Sequence, residues 1–130
     1  YPLDFHSMEK AIGYFVGTHD FTAFKANDSS VKTTVRTITG TWLKKEDEII
    51  TFEIAGNGFL YNMVRIIVGT IVEVGMGKMA ADDIPYIIES RDRRKAGRTA
   101  PPHGLYLMEV YYQEQKNEMT DDYTRDLRII

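Results

Sequence analysis

Apolar residues recur near the start of the chain at Met8, Ala11, Ile12, Phe15 and Val16. Spacings of three and four residues predict an amphipathic helix with one stripe turned to a core. Asp4 or Ser7 suits its N-cap, and Gly17 its end. A loop carrying His19, Asp20 and Phe21 should follow. Thr33 to Lys44 is rich in Thr, Val and Ile, the composition of a strand. After a polar turn at Lys44–Asp47, Ile50, Phe52 and Ile54 alternate with Thr51 and Glu53, which predicts a strand with one buried face. The two strands should form a hairpin.

From Phe59 to Val74 apolar residues lie on nearly every side of a helical projection, so this helix should be buried on more than one face. Gly75-Met76-Gly77 ends it. Asp82, Asp83 and Pro85 suit the opening of a short helix whose stripe is Ile84, Ile87 and Ile88. Arg91 to His103 reads as a polar loop. Leu105 to Tyr112 reads as a strand with apolar residues on both sides, as in a central strand. From Gln113 the chain is polar and acidic, which predicts a mobile tail or a weak terminal helix. The expected order is α-β-β-α-α-β. This is an α+β fold, a largely antiparallel sheet with helices packed on one face. Residues 1–112 would be the domain and 113–130 a tail.

At 130 residues the chain can bury one real core. Its formal net charge of -3 gives no global electrostatic case for nucleic acid, although a local basic cleft remains open. The absence of cysteine excludes disulfides and thiolate metal sites. His6, His19 and His103 lack metal-ligand spacing, so no metal site is expected. The longest apolar run, Ile66–Val72, is too short for a bilayer, and no signal peptide is visible. The first residue is Tyr1 rather than methionine, consistent with a fragment or a processed product.

Two features carry candidate chemistry. Arg65 is the one positive charge in the apolar helix. A guanidinium stays charged, so burial would demand an anion, and a carboxylate held bidentate suits it best. Glu73 lies two turns on, out of reach, so such a partner must come from elsewhere in the fold or another chain. The alternative is an arginine that snorkels to the surface with its stem packed on apolar neighbours. The second feature is the cluster Arg91, Arg93, Arg94, Lys95 and Arg98, diluted by Asp92. It suits phosphate contacts, or equally a solvated charge run. His19-Asp20 reads as a structural turn rather than a catalytic dyad, since neighbours in sequence rarely face each other. Gly56-Asn57-Gly58 lacks dinucleotide-binding spacing and reads as a tight turn.

The same segments resemble the C-terminal half of the tRNA pseudouridine synthase A (TruA-type) family. The likeness runs through Gly17-Thr18-His19-Asp20-Phe21-Thr22-Ala23-Phe24 and Val35-Arg36-Thr37-Ile38. It continues through Gly56 to Gly75, including Phe59-Leu60-Tyr61-Asn62-Met63-Val64-Arg65. It closes on Arg91-Asp92-Arg93, Ala96-Gly97, Thr99-Ala100-Pro101 and Gly104-Leu105-Tyr106-Leu107. The resemblance implies an enzyme that isomerises uridine to pseudouridine in the anticodon stem-loop of tRNA, without cofactor or metal. The target nucleotide would be flipped out of its stack. The family's aspartate lies in an Arg-Thr-Asp-x-Gly-Val-His-Ala type motif of the N-terminal half, and this sequence has no such motif.

By resemblance, then, Arg65 pairs with an aspartate supplied by that N-terminal half, keeping it ionised and oriented. Leu105 would pack on the target uracil. Arg36, Arg93, Arg94, Lys95 and Arg98 would hold tRNA. The resemblance also implies a homodimer, a cytoplasmic setting and a chain inactive by itself. A stand-alone RNA-binding or dimerisation module, with the fold but without catalysis, is the alternative.

Overall fold

The computed structural model describes residues 3–26, 31–47, 49–60, 62–99, 110–116 and 123–129, the last two stretches as backbone. Helix α1 spans Phe5–Gly13, with the Asp4 carboxylate accepting from the Ser7 N–H at 3.1 Å as its N-cap. Strand β1 is Gly17–Asp20, followed by a 3-10 turn at Thr22–Phe24. Strands β2, Val35–Glu46, and β3, Ile49–Gly56, form the expected hairpin. Helix α2 is Met63–Gly75. Helix α3, Ile84–Ser90, is entered through a 3-10 turn at Ala81–Asp83. Strands β4, Val110–Lys116, and β5, Tyr123–Ile129, complete the chain order.

The fold is α+β, with a five-stranded antiparallel sheet in the order β1-β2-β3-β5-β4. Along β3, Ile50, Phe52, Ile54 and Gly56 are buried while the residues between them are not. The buried side meets α1 through Met8, Ala11 and Ile12 and α2 through Ile66, Ile67 and Ile71, in one continuous core. Phe15, Phe21 and Phe24 fill its end near β1, Phe15 and Phe24 meeting edge-on at 5.1 Å. Eleven of the thirteen residues of α2 are buried, the exceptions being Arg65 and Glu73, so the helix is enclosed on more than one face as its pattern requires. No helix among the described residues is long and apolar enough to cross a membrane.

Three expectations need correction. The order gains strands at both ends of the chain. Gly17, expected at the end of the first helix, and His19-Asp20, expected as loop, lie in a strand that pairs with Val35–Ile38, its polar residues tolerated because the strand is short and at the sheet edge. The polar stretch from residue 113, expected as a mobile tail or terminal helix, contributes most of β4 and all of β5, and β5 inserts between β3 and β4. Helix α2 begins four residues later than Phe59. Leu60 and Met63 close a turn (Met63 N–H to Leu60 carbonyl, 3.0 Å), and Asn62 takes a left-handed conformation at φ 58°. A helix cannot run through that residue, and asparagine is among the few side chains that tolerate it. The part of the expected strand at Leu105–Glu109 lies outside the described residues.

Candidate nucleic-acid interface

The segment joining β3 to α2 sets the first part of the site. A Cβ at Gly56 would come within 2.6 Å of the Thr37 carbonyl oxygen, so only glycine lets β3 approach β2 here. Asn57 then extends the ladder by one step. Its N–H donates to the Thr37 carbonyl at 3.0 Å, and its side-chain oxygen accepts from the Thr37 N–H at 2.9 Å. Asn57 is thus a turn residue, as its place in the sequence suggests. Arg36 lies alongside this loop, its Nε 3.8 Å from where a Gly58 Cβ would stand. Its Nη1 donates to the carbonyls of Thr33 and Val35, each at 2.8 Å. Arg65 follows on the first turn of α2, half-buried.

The second part is the basic segment after α3. Arg91 ends that helix in a left-handed conformation, φ 55°, and its Nε stands 3.5 Å from Asp20 Oδ2. Asp92 caps the 3-10 turn Arg93–Lys95 by accepting from the Arg94 N–H at 2.9 Å. The same carboxylate takes two further bonds from the Arg94 guanidinium, each at 3.0 Å. Those guanidinium bonds first, and the backbone N–H second, hold the Asp92 carboxyl below its ordinary pKa. Arg93 turns inward instead, with Nη1 donating to the Gly97 carbonyl at 2.8 Å and Nη2 at 3.4 Å from Thr99 Oγ1. Gly97 is buried, and its N–H donates to Thr70 Oγ1 on α2 at 2.8 Å. Arg94, Lys95 and Arg98 are exposed.

His19 and Asp20 do not act on each other. His19 Nε2 is 3.1 Å from the Val16 carbonyl, and its ring meets Phe21 edge-on. Asp20 Oδ1 accepts from Thr22 N–H at 3.1 Å, Thr22 Oγ1 at 2.6 Å and Thr34 Oγ1 at 2.7 Å. Burial pushes the Asp20 carboxyl up, but the Thr22 and Thr34 hydrogen bonds and the Arg91 charge together outweigh it, and its pKa lies below the ordinary value. Both residues are structural, Asp20 tying β1, the Thr22 turn and the basic segment together.

Arg36 therefore lies beside the loop that leads into α2, whose first turn carries Arg65, and the basic segment is docked on that helix at Thr70. Leu105 lies outside the described residues. The contact between Thr70 and Gly97 is not marked by any spacing in the sequence. The available signal was a threonine inside Ile66–Val72, since a hydroxyl in so apolar a run requires a partner.

The family model for tRNA pseudouridine synthase matches residues 11–113, from within α1 into β4. The chain belongs to the tRNA pseudouridine synthase family. It is 68% identical over 110 residues to tRNA pseudouridine synthase A of Acetivibrio thermocellus, covering 85% of this chain and 45% of that protein. It is 56% identical over 111 residues to the protein of that name from Ruminiclostridium cellulolyticum, covering 85% of this chain and 45% of the relative. The Thermoanaerobacter sp. protein of that name is 54% identical over 112 residues, covering 86% and 46% respectively. The chain thus spans somewhat under half the length of these curated relatives. The matched region of the family contains every element of the interface described above, from the β1 edge to the segment docked on α2.

Proposed function

We propose that this chain is the C-terminal portion of a tRNA pseudouridine synthase and supplies one wall of its active site. The reaction is an isomerisation. The bond from the ribose to the uracil nitrogen breaks, the base turns, and a carbon–carbon bond forms, with the proton lost from that carbon matched by one gained at the freed nitrogen. No net oxidant, reductant or cofactor is needed. The substrate would be a uridine in the anticodon stem-loop of tRNA.

The observation that carries this reading is Arg65, a half-buried arginine at the first turn of a helix buried at every other position but Glu73, within the region matched to the family. In the assembled enzyme Arg65 would pair with the catalytic aspartate of the N-terminal half. A guanidinium fork fixes a carboxylate in direction and holds it ionised, as a nucleophile requires. Leu105 would pack on the uracil and exclude water. Arg36, Arg94, Lys95 and Arg98 would grip phosphates, with the tRNA spanning two subunits of a homodimer.

The test is pseudouridine formation on unmodified tRNA, with and without an N-terminal half supplied in trans. Activity only with the added half is the expected result. Activity of the chain by itself would refute the assignment of Arg65 to an aspartate from outside. Inactivity in both conditions, with tRNA binding intact, would favour an RNA-binding module.

A further inference from the structure

We propose that Thr70, Gly97 and Arg93 form an internal brace that locks the basic segment onto the Arg65 helix. Arg93 is then a positioning residue, and Arg94, Lys95 and Arg98 are the outward phosphate contacts. The identity of the ligand rests on the function proposed above, whereas the brace rests on geometry.

Thr70 is fully buried. Its hydroxyl spends its one proton on the Ile66 carbonyl, at 2.8 Å, and so offers a lone pair to the Gly97 N–H, also at 2.8 Å. The two backbones touch. A Cβ at Gly97 would fall 2.6 Å from Thr70 Cα and 2.9 Å from both Thr70 N and Glu73 Oε2. The Gly97 carbonyl is in turn held by Arg93 Nη1 at 2.8 Å, so the peptides on both sides of Gly97 are gripped. At the far end Arg91 reaches Asp20, fixing the segment to β1.

This arrangement divides the basic cluster. A guanidinium that binds phosphate must present its donors outward. Arg93 is half-buried and commits both Nη atoms to Gly97 and Thr99. Arg94, Lys95 and Arg98 are exposed, and Arg94, although its Nε and Nη2 bond Asp92, has a side chain 90% open to solvent. Holding them on a fixed frame lowers the ordering cost of binding. It also sets their distance from Arg65, because the segment is docked on the helix that carries Arg65.

The experiment uses the 130-residue chain with two readouts. The first is limited trypsin cleavage after Arg94, Lys95 and Arg98, with folding followed by circular dichroism. Thr70→Val keeps the shape and removes the acceptor, and Arg93→Gln removes the fork. Each should speed cleavage about tenfold, the factor equivalent to a 1.4 kcal/mol change in local opening. Thr70→Ser, which keeps the hydroxyl, should restore slow cleavage. The second readout is affinity for unmodified tRNA. Thr70→Val should weaken it although no charge is lost. The double variant should be no weaker than the worse single one, because both remove one brace.

Unchanged cleavage in folded Thr70→Val and Arg93→Gln would overturn the proposal, as would additive losses of affinity, which would make Arg93 a phosphate contact. If Thr70→Val fails to fold, Arg93→Gln against Thr70→Ser still decides. A wild-type chain that binds no tRNA would count against the proposed function, and the protease readout would decide the brace independently.

Discussion

Replacing Asp20 tests the account of how the basic segment is anchored. Its Oδ1 collects three hydrogen bonds, from the Thr22 N–H and the hydroxyls of Thr22 and Thr34. Its Oδ2 faces Arg91 at 3.5 Å, with the arginine side chain 66% exposed. Hydrogen bonds to a charged acceptor are worth about 1.5–3 kcal/mol each when fully buried. Here water can replace part of that, and the exposed ion pair adds at most about 1 kcal/mol. Asp20→Ala should therefore cost about 2–3 kcal/mol in all, and Asp20→Asn, which keeps one acceptor, about 1 kcal/mol. With a urea dependence of about 2 kcal/mol per molar, the alanine variant should unfold about 1–1.5 M earlier at pH 7.

The sign of the pH dependence follows from the lowered pKa of Asp20. Above its ordinary value of 3.8 the carboxylate is charged in both states, and its contribution is complete. As pH falls below 3.8 the unfolded chain takes up a proton first, and the contribution fades through the lower folded pKa. The gap between wild type and Asp20→Ala should thus narrow between pH 5 and pH 2, measured by urea titration. A gap of equal size at both ends, or an alanine variant as stable as wild type, would refute the reasoning. In the reconstituted enzyme, folded Asp20→Asn should keep its turnover, because Asp20 is an anchor and not the nucleophile.

Three further outcomes are expected. Arg65→Ala in the reconstituted enzyme should lower kcat by about 10²–10³-fold with little loss of tRNA affinity, as when one preorganised donor leaves an active site; steady-state kinetics giving an unchanged rate would sink the pairing. Lys95→Ala and Arg98→Ala should each flatten the log–log salt dependence of tRNA binding by about 0.7–0.9 if each neutralises one phosphate, and identical slopes would show a solvated charge run. Gly56→Ala should destabilise the chain by about 1–3 kcal/mol, since its methyl meets the Thr37 carbonyl oxygen and the β2–β3 junction must shift; thermal unfolding at an unchanged midpoint would exclude that contact.

The parts of the fold legible in the sequence are those whose pattern is set by a single buried side. Met8, Ala11 and Ile12 are buried where their helical spacing places them, Phe15 is buried just past the helix end, and Ile50, Phe52 and Ile54 alternate as a strand should. Val16 lies beyond α1 and is 44% exposed, because the helix stops before the stripe does. The misread elements obey other physics. Gly17–Asp20 has no hydrophobic alternation and is a strand because Val35–Ile38 offers it a ladder. Tyr123, Leu127 and Ile129 stand on alternate positions, a strand signal masked by Asp126, Arg125 and Arg128. Register sets Leu127 opposite Phe52 and Ile129 opposite Ile50, a relation between distant segments that no local window contains. The site divides in the same way. Arg65 was visible as a charge in an apolar run, whereas the docking of Gly97 on Thr70 joins residues 27 positions apart.

The position of β5 between β3 and β4 has a consequence for synthesis. Strand β4 is translated before β5 yet reaches the sheet only through it. At about 5–20 residues per second, the ribosome needs roughly one to four seconds to go from Val110 to Ile129. Throughout that interval the nascent Val110-Tyr111-Tyr112 segment lacks its native partner β5, and the β3 edge that β5 will cover stands open. A chaperone that shields apolar nascent chain would act in this window, and a ribosomal pause between the two strands would lengthen it.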